Sequence, residues 1–173
     1  MLSALFNPTT WIPVAVLAAL WLTEALIPFY GHFRGGLRDR LRHDGRNVAI
    51  GLANKVIVLF AFAGLYGLAE TWADERAFGL LRLTAWPTWA EAIVVFLLLD
   101  LWTYIWHRLN HVVPLLWRFH SVHHTDARMD ATSGVRFHTG EVVLSATVRL
   151  AVILLIGANL RQVVIYDAVF LRF

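Results

Sequence analysis

Five histidines occupy eighteen consecutive positions: His107 and His111, then His120, His123 and His124. The first two are spaced i, i+4, and His120 and His124 repeat that spacing, with His123 at i+3 from His120. Residues three or four apart share one face of a helix, so each pair offers two imidazoles about one turn apart. Two such helices facing each other would present five imidazoles to a common centre, where a transition metal could be held. The chain contains no cysteine, which excludes disulfides and thiolate ligands and leaves nitrogen and oxygen as the donors. An isolated i, i+4 pair at a membrane interface is more often a polar anchor than a ligand pair, but five histidines in so short a stretch reverse that weighting.

Asp100 and Tyr104 precede His107 and His111 at i, i+4, i+7 and i+11, one continuous helical stripe. A carboxylate inside an apolar span costs roughly 2.5–3.5 kcal/mol on insertion scales and is retained where it has a task. Either Asp100 or Tyr104 is expected to orient His107 from behind, as carboxylates commonly do for metal-bound histidine. The alternative for Asp100 is a packing residue paired with Arg108 or another base.

Asp100-Leu-Trp-Thr-Tyr104-Ile-Trp-His107-Arg108-Leu-Asn-His111 resembles the D-x3-Y-x2-H-R-x2-H signature of the fatty acid hydroxylase superfamily, in its sterol desaturase branch. His120-Ser-Val-His123-His124 matches the H-x2-H-H box of that family, and Arg136-Phe-His138-Thr-Gly-Glu141 resembles its R-x-H-P-x-E segment, with Thr139 where proline is usual. The resemblance covers residues 90 to 170 or so. It implies an integral-membrane oxygenase whose histidine-rich di-iron centre faces the cytoplasm and uses O2 to hydroxylate or desaturate lipid C–H bonds. Electrons would come from a separate reductase, since no flavin- or haem-binding segment is evident.

The family carries further histidines downstream, including a second H-x2-H-H box. This sequence is therefore expected to be a C-terminally truncated portion of a hydroxylase, with five box histidines sufficient for one metal and poor for two, and with little or no oxygenase activity alone. The competing expectation is a membrane electron carrier in which histidines from two spans ligate haem axially, and a weaker one is a structural zinc site. His138 is expected to pair with Arg136 or Glu141 rather than with metal, and those two to fix the loop.

The elements that must position these groups are apolar helices. Hydrophobic residues make up 58% of the 173 residues, and mean hydropathy is +0.60, well above soluble proteins. Four runs suit a bilayer core of about 30 Å: Trp11 to Tyr30, Asn47 to Ala69, Trp89 to Trp106 and Val142 to Ala158. The expected fold is all-α, an integral membrane bundle of these four spans with a cytoplasmic histidine-rich helical cap. Residues 1–86 would form the N-terminal spans and a basic loop, and 87–173 a partial hydroxylase-like domain. The first run is too long for a secretory leader and is read as a retained span.

Gly31 to Arg46 holds five arginines in sixteen residues and is expected to be a cytoplasmic loop; the span from Trp89 would then return His107 to the same side. Glu70 to Thr88 is expected to form the turn on the opposite side, and Thr125 to Glu141 a cytoplasmic loop. Net charge is +3, and because the arginines gather at the ends of apolar runs, topology explains them and a nucleic-acid partner is excluded. His32 and His43 are read as solvated or headgroup-facing, Glu24 and Lys55 as a membrane charge pair, and Arg149 as snorkelling or facing the interior. The partners expected are the bilayer, a lipid substrate and the reductase; the membrane is a bacterial inner membrane or an endoplasmic reticulum.

Overall fold

The computed structural model describes residues 8–27 and 36–170, among which every regular element is helical. Six α-helices follow in chain order: α1 (Pro8–Leu26), α2 (Gly36–Glu75), α3 (Thr88–Val112), α4 (Pro114–His124), α5 (Thr139–Ile156) and α6 (Leu160–Val169). Short 3-10 turns lie at Leu80–Leu83 and Ala131–Val135. Three of these helices, α2, α3 and α5, are long and apolar enough to cross a membrane. The fourth expected span corresponds to α1, whose apolar stretch Ala15–Leu26 is shorter, while residues 28–30 and His32 lie outside the described residues.

The arginine-rich segment is not a loop from Gly36 onward. It forms the first turns of α2, a single helix of 40 residues, about 60 Å long and twice the thickness of a bilayer core. The local reasons are legible: arginine is a good helix former, no proline intervenes, and Asp39 lies in the first turn where its charge suits the helix dipole. Arg40 and Asp44 add an i, i+4 pair at 3.6 Å. The polar extension packs against the segment after α4, burying Arg40, His43, Asp44 and Asn47.

Pro114 makes the histidine geometry. It occupies the first turn of α4 and drives Val113 to φ −92°, ψ 116°, because proline lacks an N–H and disfavours a helical residue before it. The chain therefore breaks after His111 and folds α4 back beside the end of α3.

The apolar core lies elsewhere, where α3, α5 and α6 meet: Val95, Leu99, Ile153, Ile156, Val163 and Tyr166 are buried together. The Tyr166 hydroxyl is 2.7 Å from the Thr103 hydroxyl. The turn expected at Gly157-Ala-Asn159 is present. Gly157 ends α5 at φ 84°, donating to the carbonyls of Ile153 and Leu154, and Asn159 caps α6 by accepting from the backbone N–H of Gln162. Gly79 at φ 130° packs so close to Gly157 that a Cβ on Gly79 would sit 2.4 Å from the Gly157 Cα. Arg149 faces the interior, its Nη1 donating to Asp167 at 3.0 Å. Glu24 meets Arg40 at 4.0 Å and accepts from the Ala131 N–H at 2.8 Å, so its partners are Arg40 at the start of α2 and the 3-10 turn rather than the expected Lys55.

Candidate metal centre

The end of α3 and the whole of α4 carry the two histidine groups onto one another. The Nε2 atoms of His107 and His111 are 3.1 Å apart, and those of His120 and His124 are 3.2 Å apart. Ring centroids of His107 and His120, of His111 and His120, and of His111 and His124 are 4.9, 4.8 and 4.8 Å apart. Ligand nitrogens of His107, His111 and His120 all lie within 4.8 Å of one another.

These spacings fit a shared ion. Two nitrogens each about 2.1 Å from a metal are about 3.0 Å apart at a right angle and about 3.4 Å apart at the tetrahedral angle. They do not fit axial haem ligation, in which two nitrogens stand on opposite faces of a macrocycle about 4 Å apart. Each pair thus has the spacing of cis ligands, and His107, His111 and His120 form the mutually close group, with His124 beside His120.

The support behind them comes from α5. Glu141, 6% exposed, places Oε1 2.7 Å from His120 Nδ1. The Nδ1 proton is thereby held on the carboxylate side, and the Nε2 lone pair points to the other imidazoles. Burial first, then the neighbouring His124 and His111, push His120 down to about 4, so the ring is neutral and ready to ligate near pH 7. Trp117 flanks the cluster, 5.4 Å from His111 and 5.6 Å from His124 between ring centroids. The Trp106 indole donates to the Ser145 hydroxyl at 2.7 Å and pins α3 to α5.

Residues 92–173 match the fatty acid hydroxylase family. Among curated proteins, the ornithine lipid hydroxylase OlsE of Rhizobium tropici is 29% identical over 75 residues, 43% of this chain and 23% of that protein. The chain thus spans about a quarter of that relative's length. No solved structure matches it.

Within the region matching fatty acid hydroxylase, the fifth box histidine is placed differently from the other four. His123 stacks on Phe137, with ring centroids 4.4 Å apart and planes 6° from parallel, and lies 5.7 Å from His120 and 5.1 Å from His124. Asp100 lies seven residues before His107, about 10 Å along the helix axis. Tyr104 is 63% exposed. The carboxylate in contact with a box imidazole is that of Glu141.

The hydroxylase-like R-x-H-x-x-E segment is only partly the loop expected. Arg136 does fasten it, donating to the Thr125 hydroxyl at 3.3 Å and lying 3.9 Å from Asp126. His138 caps α5, its Nδ1 accepting from the Gly140 N–H at 3.0 Å with Phe119 against its ring, and its interaction with Glu141 is electrostatic, without the hydrogen bond expected. Thr139 takes the first position of α5, a place that proline also fits, and its hydroxyl instead donates to Asn54 of α2 at 2.8 Å.

His43 is the largest departure from expectation. It is 6% exposed, with Nε2 at 2.9 and 3.0 Å from the two oxygens of Asp126. Burial works to raise Asp126, but hydrogen bonds from Ser133, His43, the Arg128 N–H and Asn47 hold it well below the usual carboxylate range. Residues of the arginine-rich segment therefore support the turn that follows His124, which no local pattern in either stretch signals.

Proposed function

We propose that this chain contributes the iron-binding core of a membrane-bound, O2-dependent lipid hydroxylase. The carrying observation is the convergence of four imidazoles, two pairs of whose Nε2 atoms lie 3.1 and 3.2 Å apart, on a chain whose apolar helices α3 and α5 flank them and whose residues 92–173 match fatty acid hydroxylases. His107, His111 and His120 would hold one iron, which His124, 3.2 Å from His120, would join by a movement of its ring. His123, by leaving its stack on Phe137, would join further donors at a second iron of a di-iron centre. Iron, when bound, supplies the O2-activating redox chemistry that attacks an unactivated lipid C–H bond.

The chain's own residues fix and screen that site. Glu141 keeps the His120 proton on Nδ1, and Trp117 limits water beside His111 and His124. Leu97, Leu101 and Tyr104, 59%, 52% and 63% exposed, form an outward stripe on α3 along which a lipid chain would reach the imidazoles from the bilayer. Asp100 and Tyr104 shape that approach, and Tyr104, one turn before His107, steers its ring. The name of the R. tropici relative favours hydroxylation over desaturation within the sterol desaturase type. The arginines at the start of α2 set the histidine end on the cytoplasmic side, within reach of a separate reductase.

The test is reconstitution of the full chain in lipid nanodiscs, anaerobic iron loading, then addition of O2 and a reducing system, with lipids read by mass spectrometry. Iron counted per chain after loading, diminished in H107A and H120A, is expected, with little lipid oxidation by this chain alone; undiminished iron in those variants would overturn the reading.

A further inference from the structure

A second set of ligand-type atoms is enclosed where α2 meets the segment after α4. His43 and Asp44 are each 6% exposed, and the Asp130 side chain is 2% exposed. All three are tethered on their far sides. His43 Nε2 faces the Asp126 carboxylate, which also accepts from Asn47 at 3.1 Å, Ser133 at 2.7 Å and the Arg128 N–H at 3.1 Å; Nδ1 lies 3.2 Å from Asp44 Oδ1, a hydrogen bond whose proton an incoming metal ion would displace. Asp44 Oδ2 accepts from the Trp21 indole at 2.7 Å. Asp130 Oδ1 accepts from the N–H and hydroxyl of Thr132 at 2.8 and 2.6 Å.

What remains facing inward is His43 Nδ1, Asp44 Oδ1 and Asp130 Oδ2. The nitrogen is 3.2 Å from each oxygen, and the three atoms lie within 4.8 Å of one another. Asp130 Oδ2 is buried and has no hydrogen-bond partner. Arg40 Nε is 3.6 Å from Asp44 Oδ2 and Arg136 Nη1 is 3.9 Å from Asp126 Oδ2, oxygens other than the two that face His43 Nδ1. Two carboxylates aimed at one buried point require a proton or a cation between them, a role that a proton on His43 Nδ1 fills in the metal-free protein and a bound ion would take over. The 3.2 Å spacing is again that of cis ligands on an ion about 2.1 Å away, and a carboxylate behind the imidazole, here Asp126, is the usual support of a metal-bound histidine.

We propose that His43, Asp44 and Asp130 bind a divalent transition-metal ion at a site separate from the imidazole cluster, fastening α2 to the segment that follows α4. One nitrogen and two oxygen donors suit manganese, zinc or ferrous iron. The ion would lock the support beneath His123 and His124 without belonging to the cluster itself.

The test uses the purified full chain carrying H107A, H111A and H124A, which removes three exposed ligands of the first site, titrated with Mn2+ and followed by electron paramagnetic resonance and metal counting. A single tightly bound Mn2+ coupled to one imidazole is expected. Adding D130N, which keeps an oxygen for the Thr132 cap, or H43Q should weaken binding roughly 100-fold or more, beyond the 10–100-fold usual for a supporting partner. A chelator should lower the melting temperature of the triple variant and leave that of its D130N and H43Q derivatives unchanged; the two are read independently. Absence of stoichiometric Mn2+ in the triple variant, or undiminished binding in a folded D130N or H43Q derivative, would overturn the proposal, and the latter is the result expected if Asp44 and Asp130 share a proton.

Discussion

Removing the carboxylate of Glu141 should weaken the imidazole cluster without dismantling the bundle. The Oε1 contact to His120 Nδ1 is short, 2.7 Å, and both side chains are buried, at 1% and 7% exposure. A hydrogen bond to a charged partner in such surroundings contributes about 1.5–3 kcal/mol, and loss of a carboxylate behind a ligating histidine costs about 10- to 100-fold in metal affinity. E141Q keeps an oxygen acceptor and loses only the charge, so it should weaken binding about 10-fold, or about 1.4 kcal/mol. E141A leaves the His120 N–H buried and unpaired and should approach 100-fold. The assay is competition titration of Co2+ or Fe2+ into detergent-solubilised protein, with circular dichroism confirming helix content. Wild-type affinity in both variants would refute the reasoning, as would a loss that tracks loss of helix.

Acid should loosen the turn that follows α4. Although burial works to raise Asp126, hydrogen bonds from Ser133, His43, the Arg128 N–H and Asn47 hold it well below the usual carboxylate range, so the folded state binds this proton less readily than the unfolded one; its contribution is present above the ordinary carboxylate range and is lost as pH falls below about 4. Denaturant melts of the wild type and D126N at about pH 5 and pH 3 read this, and an equal pH dependence in the two contradicts it. G79A should cost about 3 kcal/mol or more, because φ 130° strains alanine and the new Cβ meets the Gly157 backbone, lowering the melting temperature in detergent. R149M strands the Asp167 carboxylate and should cost about 3 kcal/mol, most of it recovered by adding D167N, a cycle that thermal melts can close.

The patterns legible in the sequence were those confined to one element. The i, i+4 histidine pairs, the apolar runs of α2, α3 and α5, and the Gly157 to Asn159 turn each depend on neighbours a few residues apart, where helical periodicity and capping chemistry act. Pro114 sets the break between α3 and α4 by backbone chemistry of the same local kind, found in the structure rather than expected. Contacts between distant segments carry no such signal. His43 meets Asp126 across 83 residues, and Glu141 meets His120 across 21. A histidine among arginines therefore reads as solvated, although the α2 extension buries it, and Glu141 reads as a loop residue, although the first turn of α5 aims it at the cluster. The continuity of α2 through its arginines was hidden because charge patterning marks where a chain leaves the bilayer and does not mark where its helix stops.

The central claim, that the converging imidazoles form an iron site, is met most directly by X-ray absorption on the Fe2+-loaded full chain. The account predicts a first shell dominated by nitrogen at about 2.1 Å, with the outer-shell scattering of several imidazoles, diminished in H107A and H120A. An oxygen-only shell without imidazole scattering, or a spectrum unchanged by those substitutions, would contradict it.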